Sequence, residues 1–297
     1  MNARQSRIGY LGSKGSYTHQ AAEELFKNEK LVGFASIHEI VEATEQGVVD
    51  KGVVPVENSI AGRVADLYQI LDLINLSIVA EHFVEIAHCL AVPTPSDKDK
   101  EIDLKEIENV YSHKQALMQC RDWMSSKLPD AEAVSMSDTA SSAKYVSETA
   151  LETKAAICSK RAADIYNLSV VAEDIQNIKQ NYTRFHVLSR QPVQPDNLAN
   201  LRAITTVIFQ VKHTPGSLLK ALSAIAENDV NVVKLETYMV SGLREAPTFY
   251  VDIAVNRFSE LGEKALSELA NNTSFLKVIG CYSSSPLRSV VSGFLSV

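Results

Sequence analysis

The sequence predicts an α/β protein built of two unequal units, and three observations carry that prediction. As far as residue 190, short β-rich runs alternate with helical patterns. Gln191 to Asn200 is polar and carries Pro192 and Pro195, the composition of a linker. From Ala203 to residue 283 the order changes to βαββαβ, a ferredoxin-like arrangement. The two orders differ, so neither unit is a copy of the other.

In the first unit, Ile8 to Leu11 reads as a strand ending in Gly12-Ser-Lys-Gly15. Ser16 caps the next helix, whose apolar face holds Ala21, Ala22, Leu25 and Phe26. Val32 to Ala35 is a strand, and Ile37 to Gln46 a helix with Ile37, Ile40, Val41 and Thr44 on one side. Gly52 to Val56 is a third strand, and Glu57-Asn58-Ser59 is expected to open a third helix toward Leu73. This βαβαβα order implies a parallel sheet covered by helices. Val84 to Val92 reads as one β-rich run. Val110-Tyr111 is a short strand, with Ser112 as cap of a helix from His113 to Lys127. Ala131 to Met136 is a strand, with Ser137 as cap of a helix from Asp138 to Glu148. Ala155 to Cys158, Val170 to Glu173 and Phe185 to Ser189 complete the strands, with a helix through Tyr166.

In the second unit, Ala203 to Val211 is a strand. Thr214-Pro215-Gly216 starts a helix, with Thr at the cap and Pro at the first helical position. Leu218, Leu222 and Ile225 stripe its inner face. Val230 to Val240 is a strand, and Thr248 to Val255 another that alternates Phe249, Val251, Ile253 and Val255. A helix from Glu260 to Ala270 and a strand from Phe275 to Cys281 close the order.

The 297 residues carry 29 Lys and Arg against 36 Asp and Glu, a formal charge of −7. That balance argues against a general nucleic-acid binder, which shows a basic face. It describes the surface and says little about a cleft. Hydrophobic residues at 45% and charged residues at 22% exclude disorder as a reading of the whole chain. Cys89, Cys120, Cys158 and Cys281 form no CxxC pair and read as reduced, mostly buried thiols. No apolar run approaches the ~20 residues of a membrane span. The short Ile8–Leu11 piece behind Arg4 and Arg7 is no signal peptide. A soluble cytoplasmic protein without nucleic-acid or membrane partners is expected.

Three places carry candidate chemistry. The Gly12–Gly15 turn, with Ser16 and Thr18, offers backbone N–H groups and hydroxyls at a helix N-terminus, an anion site. It lacks GxGxxG and GxxxxGK[ST], and an ordinary βα turn explains it equally well. Glu57, Asn58 and Ser59 crowd the carboxyl end of a strand, where open α/β sheets place ligands, although a plain helix cap would use the same residues. Ser137-Asp-Thr139 opens a further helix. Three hydroxyl-rich helix starts from two halves of one unit suggest a cleft that receives an anion. His88, His113 and His186 stand alone without metal-ligand spacing, so no metal site is expected.

In combination these motifs become specific. Ile8 to Ala22, Val54-Pro-Val-Glu-Asn-Ser-Ile-Ala-Gly-Arg-Val64 and Tyr111-Ser-His-Lys-Gln-Ala-Leu resemble segments of the prephenate dehydratase family. So do Val171-Ala-Glu-Asp-Ile175 and, above all, Asn181-Tyr-Thr-Arg-Phe185. Thr214-Pro-Gly-Ser-Leu-Leu-Lys-Ala-Leu222 and Asn231-Val-Val-Lys-Leu-Glu236 resemble an ACT regulatory domain. The likeness spans residues 7 to 283.

The resemblance implies a cofactor-free carbon–oxygen lyase of phenylalanine biosynthesis. It would convert prephenate to phenylpyruvate, with L-phenylalanine as feedback effector. It implies a two-lobed, type II periplasmic-binding-protein-like catalytic domain over residues 1–190. Lobe 1 would take residues 7–80 and 174–190, and lobe 2 residues 81–173. A linker (191–202), an ACT domain (203–283) and a tail (284–297) follow. Homologues are typically dimers or tetramers. The family's catalytic residue matches Thr183, as a general acid or a hydrogen-bond donor to the departing oxygen. Substrate contacts fall to Ser16, Thr18, Glu57, Asn58, Ser59, Thr139, Arg184 and Phe185. In a regular strand Thr183 and Phe185 share a face while Arg184 points away. Arg184 is then an ion-paired support unless the backbone is irregular. The effector set is Gly216, Ser217, Leu218, Leu219, Asn231, Glu236 and Thr237.

Three departures from the family pattern stand out. Gly216-Ser-Leu-Leu219 replaces Gly-Ala-Leu-Val, and Glu236-Thr-Tyr-Met239 replaces Glu-Ser-Arg-Pro. Ser13-Lys14 replaces Pro-Glu, and Lys14 would add positive charge near the cleft. Arogenate dehydratase and a non-catalytic sensor with an ACT domain are the alternative readings.

Overall fold

The computed structural model describes residues 5–71, 73–95, 102–198, 201–239, 247–289 and 291. Residues 1–4, linker positions 199–200, Val240, and tail positions 290 and 292–297 lie outside them. The chain begins β1 (Arg7–Leu11), α1 (Tyr17–Leu25), β2 (Lys30–Phe34), α2 (Ile37–Glu45) and β3 (Lys51–Asn58). A short β4 (Gly62–Arg63), α3 (Ala65–Tyr68) and β5 (Ser77–Glu85) follow. The expected helix at Glu57 is absent: β3 runs on through Asn58, turns back on itself as β4, and α3 starts only at Ala65.

The expected run Val84–Val92 is two strands. β5 ends at Glu85 and β6 (Cys89–Pro93) begins a second sheet. That sheet gathers β7 (Asn109–His113), β8 (Glu132–Met136), β9 (Lys154–Cys158) and β10 (Leu168–Ala172) in the order β10-β6-β9-β7-β8. Its helices are α4 (Lys114–Gln119), α5 (Arg121–Lys127), α6 (Thr139–Thr149) and α7 (Lys160–Ile165). His113, not Ser112, caps α4; Ser112 lies buried in β7 and donates to the Ile157 carbonyl at 2.6 Å. Asp138, not Ser137, caps α6, in a capping box with Ser141. The single helix expected from His113 to Lys127 breaks at buried Cys120, whose φ of −107° ends α4.

The chain returns to the first sheet as β11 (Tyr182–Ser189). It then builds β12 (Ala203–Gln210), α8 (Ser217–Ala226), β13 (Val232–Tyr238), β14 (Thr248–Ile253), α9 (Glu260–Asn271) and β15 (Phe275–Ser283). The expected βαββαβ order is present, with antiparallel strands in the order β13-β14-β12-β15. Gly216, with φ 79°, is the residue preceding α8, so Pro215 lies outside the helix and Thr214 spends its hydroxyl on Ser217.

The two units are not joined by a free linker. Among the described residues the first sheet has ten strands, in the order β13-β14-β12-β15-β5-β11-β3-β1-β2, with β4 beside β3. β15 meets β5 at Gly280 and Ile78, where any Cβ on Gly280 would collide with the Ile78 carbonyl. Leu198, inside the expected linker, is buried with Ala203 and Cys281. The sheet is also mixed rather than parallel, because β11 runs antiparallel to both β3 and β5.

The two central C-terminal strands, β12 and β14, are buried on both faces. Val207, Phe209, Val251 and Ile253 pack with Ala221 and Ile225 of α8 and Ala265 and Leu269 of α9. Ile204, Ile208 and Tyr250 share a core with Leu67, Tyr68 and Leu71 of the first unit. Each large apolar side chain buried there contributes ~1.5–3 kcal/mol, so this seam is a major part of the core.

Candidate active site

The site lies where the two sheets face each other. A cleft of about 260 Å³ is lined by Ser16, Thr18, Asn58, Thr139, Thr183 and Phe185, six of the expected site residues. Two helices aim their N-termini at it. Ser16 caps α1 by accepting from the His19 N–H and donates to the Leu11 carbonyl. Gly12 and Gly15, at φ 88° and 92°, allow the turn, and a side chain on Gly15 would press on the Ala162 backbone. Across the cleft, Asp138 caps α6 and accepts from the Ser13 backbone N–H at 3.3 Å and the Ser13 hydroxyl at 3.2 Å. Tyr166 donates to the Lys14 carbonyl at 2.8 Å, another bond between the two sheets' loops.

Thr183 sits at the centre of a defined hydrogen-bond set. The Asn58 oxygen accepts from the backbone N–H groups of Ile60 and Ala61, at 3.1 and 2.9 Å. Its amide nitrogen is thereby turned toward Asn181 Oδ1 (2.6 Å), the Tyr182 carbonyl (3.2 Å) and Thr183 Oγ1 (3.0 Å). Thr183 therefore accepts from Asn58, and its own O–H is left to donate into the cleft.

Three expected contacts are not in the cleft. Arg184 is fully buried on the opposite face of β11, where it pairs with Glu81 (2.8 Å) and Asp252 (2.6 Å) and donates to Tyr282 (2.9 Å). Strand alternation sends it there, as the period of two requires. The backbone is irregular as well: the β3–β11 register slips between Arg184 and Phe185, so Glu57 and Pro55 oppose successive residues of β11. Glu57 turns away from the cleft to Lys234 of β13. Ser59 accepts from the Tyr182 N–H and so pins the loop before Thr183. Lys14 does not line the cleft either. Among the described lining residues there is no Lys or Arg, so an anion here meets helix N-termini, hydroxyls and amides.

Other lining residues were not among the expected contacts. His88 is buried, and burial lowers its pKa, so it is neutral at pH 7; it pairs with Gln119 at 3.1 Å and lies 3.3 Å from the Tyr17 hydroxyl. Behind the lining, buried Asn181, part of the quoted motif, accepts from Asn58 and so orients it. Nothing in sequence marks Gln119, which reaches the cleft from the last turn of α4.

The expected effector residues divide into two groups. Gly216, Ser217, Leu218 and Leu219 line a surface cavity with Phe249. Asn231, Glu236 and Thr237 do not line it. Glu236 instead accepts from Lys234 at 3.2 Å, and the Thr237 carbonyl accepts from Arg63.

Comparison with known proteins matches this geometry to one group. A family profile described as prephenate dehydratase covers residues 8–193. A bifunctional chorismate mutase/prephenate dehydratase of Enterobacter agglomerans is 34% identical over 287 residues, 95% of this chain and 72% of its own. The chloroplastic arogenate dehydratase/prephenate dehydratase 2 of Arabidopsis thaliana is 34% identical over 293 residues, 95% of this chain and 74% of its own. Among solved structures, GqqA, described as a novel type of quorum quenching acylase, superposes with a TM-score of 0.84 at 29% identity, covering 95% of this chain and 99% of that one. Prephenate dehydratase of Arthrobacter aurescens in complex with L-Phe gives 0.82 at 27% identity, covering 94% and 90%. With the profile spanning the whole cleft-forming region and relatives alike over nearly all its length, the chain belongs to the prephenate dehydratase family.

Proposed function

We propose that the cleft binds prephenate and expels its ring carboxylate as carbon dioxide and its ring hydroxyl as water. The product is phenylpyruvate. The dianion takes up one proton, and aromatisation of the ring supplies the driving force. Family membership carries the enzyme class, a hydro-lyase. The observation that carries the residue assignment is the Thr183 hydroxyl, free to donate because Asn58 fills its acceptor side. It donates to the departing oxygen, a contribution of roughly 10²–10⁴-fold. The α1 and α6 N-termini, with Thr18 and Thr139, hold the carboxylates.

The acylase neighbour raises amide hydrolysis as a second reading. Thr183 receives a hydrogen bond from an amide rather than giving its proton to a base, the wrong polarity for a nucleophile. Purified protein with prephenate should release phenylpyruvate without added metal or nucleotide. No product at any enzyme concentration overturns the reading, and tight binding without turnover favours a sensor. Side-by-side kinetics on prephenate and arogenate decide between the two substrates.

The two sheets, crossed once after Glu85 and once before Tyr182, support a type II periplasmic-binding-protein-like arrangement. The crossing after Glu85, close to the expected boundary at about residue 80, supports the division into two lobes. The β13-β14-β12-β15 order supports an ACT domain. L-phenylalanine binds between two such domains of a homodimer or homotetramer. The Gly216–Leu219 cavity and Glu236 do not converge within one chain, while β13 is a sheet edge where a second copy could bring them together. No helix among the described residues is long and apolar enough to cross a membrane, in keeping with a cytoplasmic location.

A further inference from the structure

One lysine connects the expected effector residues to the catalytic hydrogen-bond set. Lys234 lies on β13 and is only 13% exposed. It pairs with the Glu57 carboxylate of β3 and with Glu236 Oε1 at 3.2 Å. Glu57 immediately precedes Asn58, which donates to Thr183. A second tie runs alongside: Arg63 of β4 donates to the Thr237 carbonyl. The β3–β4 hairpin therefore rests on β13 through Lys234, the partner of Glu236, and through Thr237.

The register of β3 makes the hairpin separable from the rest of its sheet. Thr183 opposes Asn58 and Arg184 opposes Glu57, but Phe185 opposes Pro55. The slip leaves Glu57 and Asn58 beyond an irregular step, so they can shift without carrying Pro55 and Val54 with them. Lys234 is a single cation shared by two carboxylates. At rest Asn58 is aimed by its own bonds to Ile60, Ala61 and Asn181. An ammonium group captured by Glu236 takes that carboxylate from Lys234 and drives the lysine fully onto Glu57, and this added pull, one residue on, turns Asn58 from Thr183.

We propose that Lys234 is the positioning residue through which an amino-acid effector at Glu236 reaches Thr183. The proposal rests on the dehydratase and effector readings above. Its content is a coupling free energy between two sites, and coupling of that kind typically amounts to about 5–150-fold. Lys234 touches neither the cleft nor the reacting atoms, so a neutral replacement should spare turnover and break the coupling.

The experiment uses full-length protein, prephenate turnover with and without L-phenylalanine, and calorimetry of L-phenylalanine binding. In Lys234→Met the rate without effector stays near wild type and phenylalanine still binds, but inhibition falls below about twofold. Lys234→Arg restores it. Glu57→Gln, which keeps size and removes charge, loses inhibition as well and covers the case in which Lys234→Met fails to fold. Inhibition unchanged in Lys234→Met or in Glu57→Gln overturns the coupling while leaving the dehydratase reading intact. A wild-type protein that neither turns over prephenate nor responds to phenylalanine overturns the underlying reading, and this inference with it.

Discussion

The two faces of β11 do opposite work. Thr183 and Phe185 line an open cleft whose walls carry hydroxyls and amides. Arg184 and His186, their neighbours in sequence, are fully buried in a charged core. There Arg184 meets Glu81 of β5 and Asp252 of β14, and Arg288 of the tail reaches Glu81 at 2.7 Å. Thr206 and Tyr282 add hydroxyls to the same cluster. Two arginines and two carboxylates balance, and four of the five residues that join Arg184 there, Thr206, Asp252, Tyr282 and Arg288, come from beyond residue 200. The C-terminal unit is therefore not appended to a finished catalytic domain. It supplies the Asp252 counter-charge behind β11.

The largest test of that contrast is truncation after Arg190. It removes Asp252, Tyr282 and Arg288 from Arg184 and Glu81, and strips the cover from Leu67, Tyr68 and Leu71. The shortened chain should show no cooperative thermal melt; an active, cooperatively folded fragment would mean that the catalytic unit stands alone. Arg184→Met comes next. It leaves Glu81 and Asp252 facing Arg288 alone, and breaking a buried pair costs ~3–5 kcal/mol. Denaturant unfolding measures that loss, and a change under 1 kcal/mol would place the charge of Arg184 in a far wetter setting.

Asn58→Asp probes the other face. The carboxylate still accepts from Ile60 and Ala61, but it also accepts from Thr183, whose proton then points away from the substrate. The expected result is a fall in kcat on the order of 10²-fold with the melting temperature little changed. Equal activity would free Thr183 from this orientation.

Acid sensitivity is the smallest effect. Burial alone would raise the Asp252 pKa, but Arg184, Arg288 and the Thr206 hydrogen bond together outweigh it and hold it at about 2, below the ordinary 3.8. Burial, helped by Arg184, pushes His186 well below 6.5. Both shifts are downward from the unfolded values, so the stabilisation is complete above each unfolded pKa. It is lost as pH falls, first below 6.5 through His186 and then between 3.8 and about 2 through Asp252. Urea midpoints measured from pH 7 to 3 should decline; a midpoint that rises on acidification would contradict a dry, paired core.

Much of this was legible in sequence because it obeys local periods. Strand alternation separates Thr183 from Arg184, and the Ser16 cap and the βαββαβ order follow from the spacing of polar and apolar residues. What escaped depends on distant partners. The slip opposite Phe185 places Glu57 off the cleft, and no local pattern announces it. Asp252 looks like the polar half of an alternating strand, yet it faces Arg184 rather than water. Gly280 reads as an ordinary strand glycine until β15 meets β5 and the two units become one sheet. Arg288 lies in a tail with no motif at all, and only the fold shows that it closes the charge cluster.

The central claim is that the Thr183 hydroxyl, set by Asn58, donates to the departing oxygen on the wet face of β11. Prephenate turnover by Thr183→Val, which keeps the shape of the side chain and removes its hydroxyl, tests it most directly. The account predicts a kcat at least ~10²-fold below wild type, with thermal stability preserved. A kcat equal to wild type would contradict it.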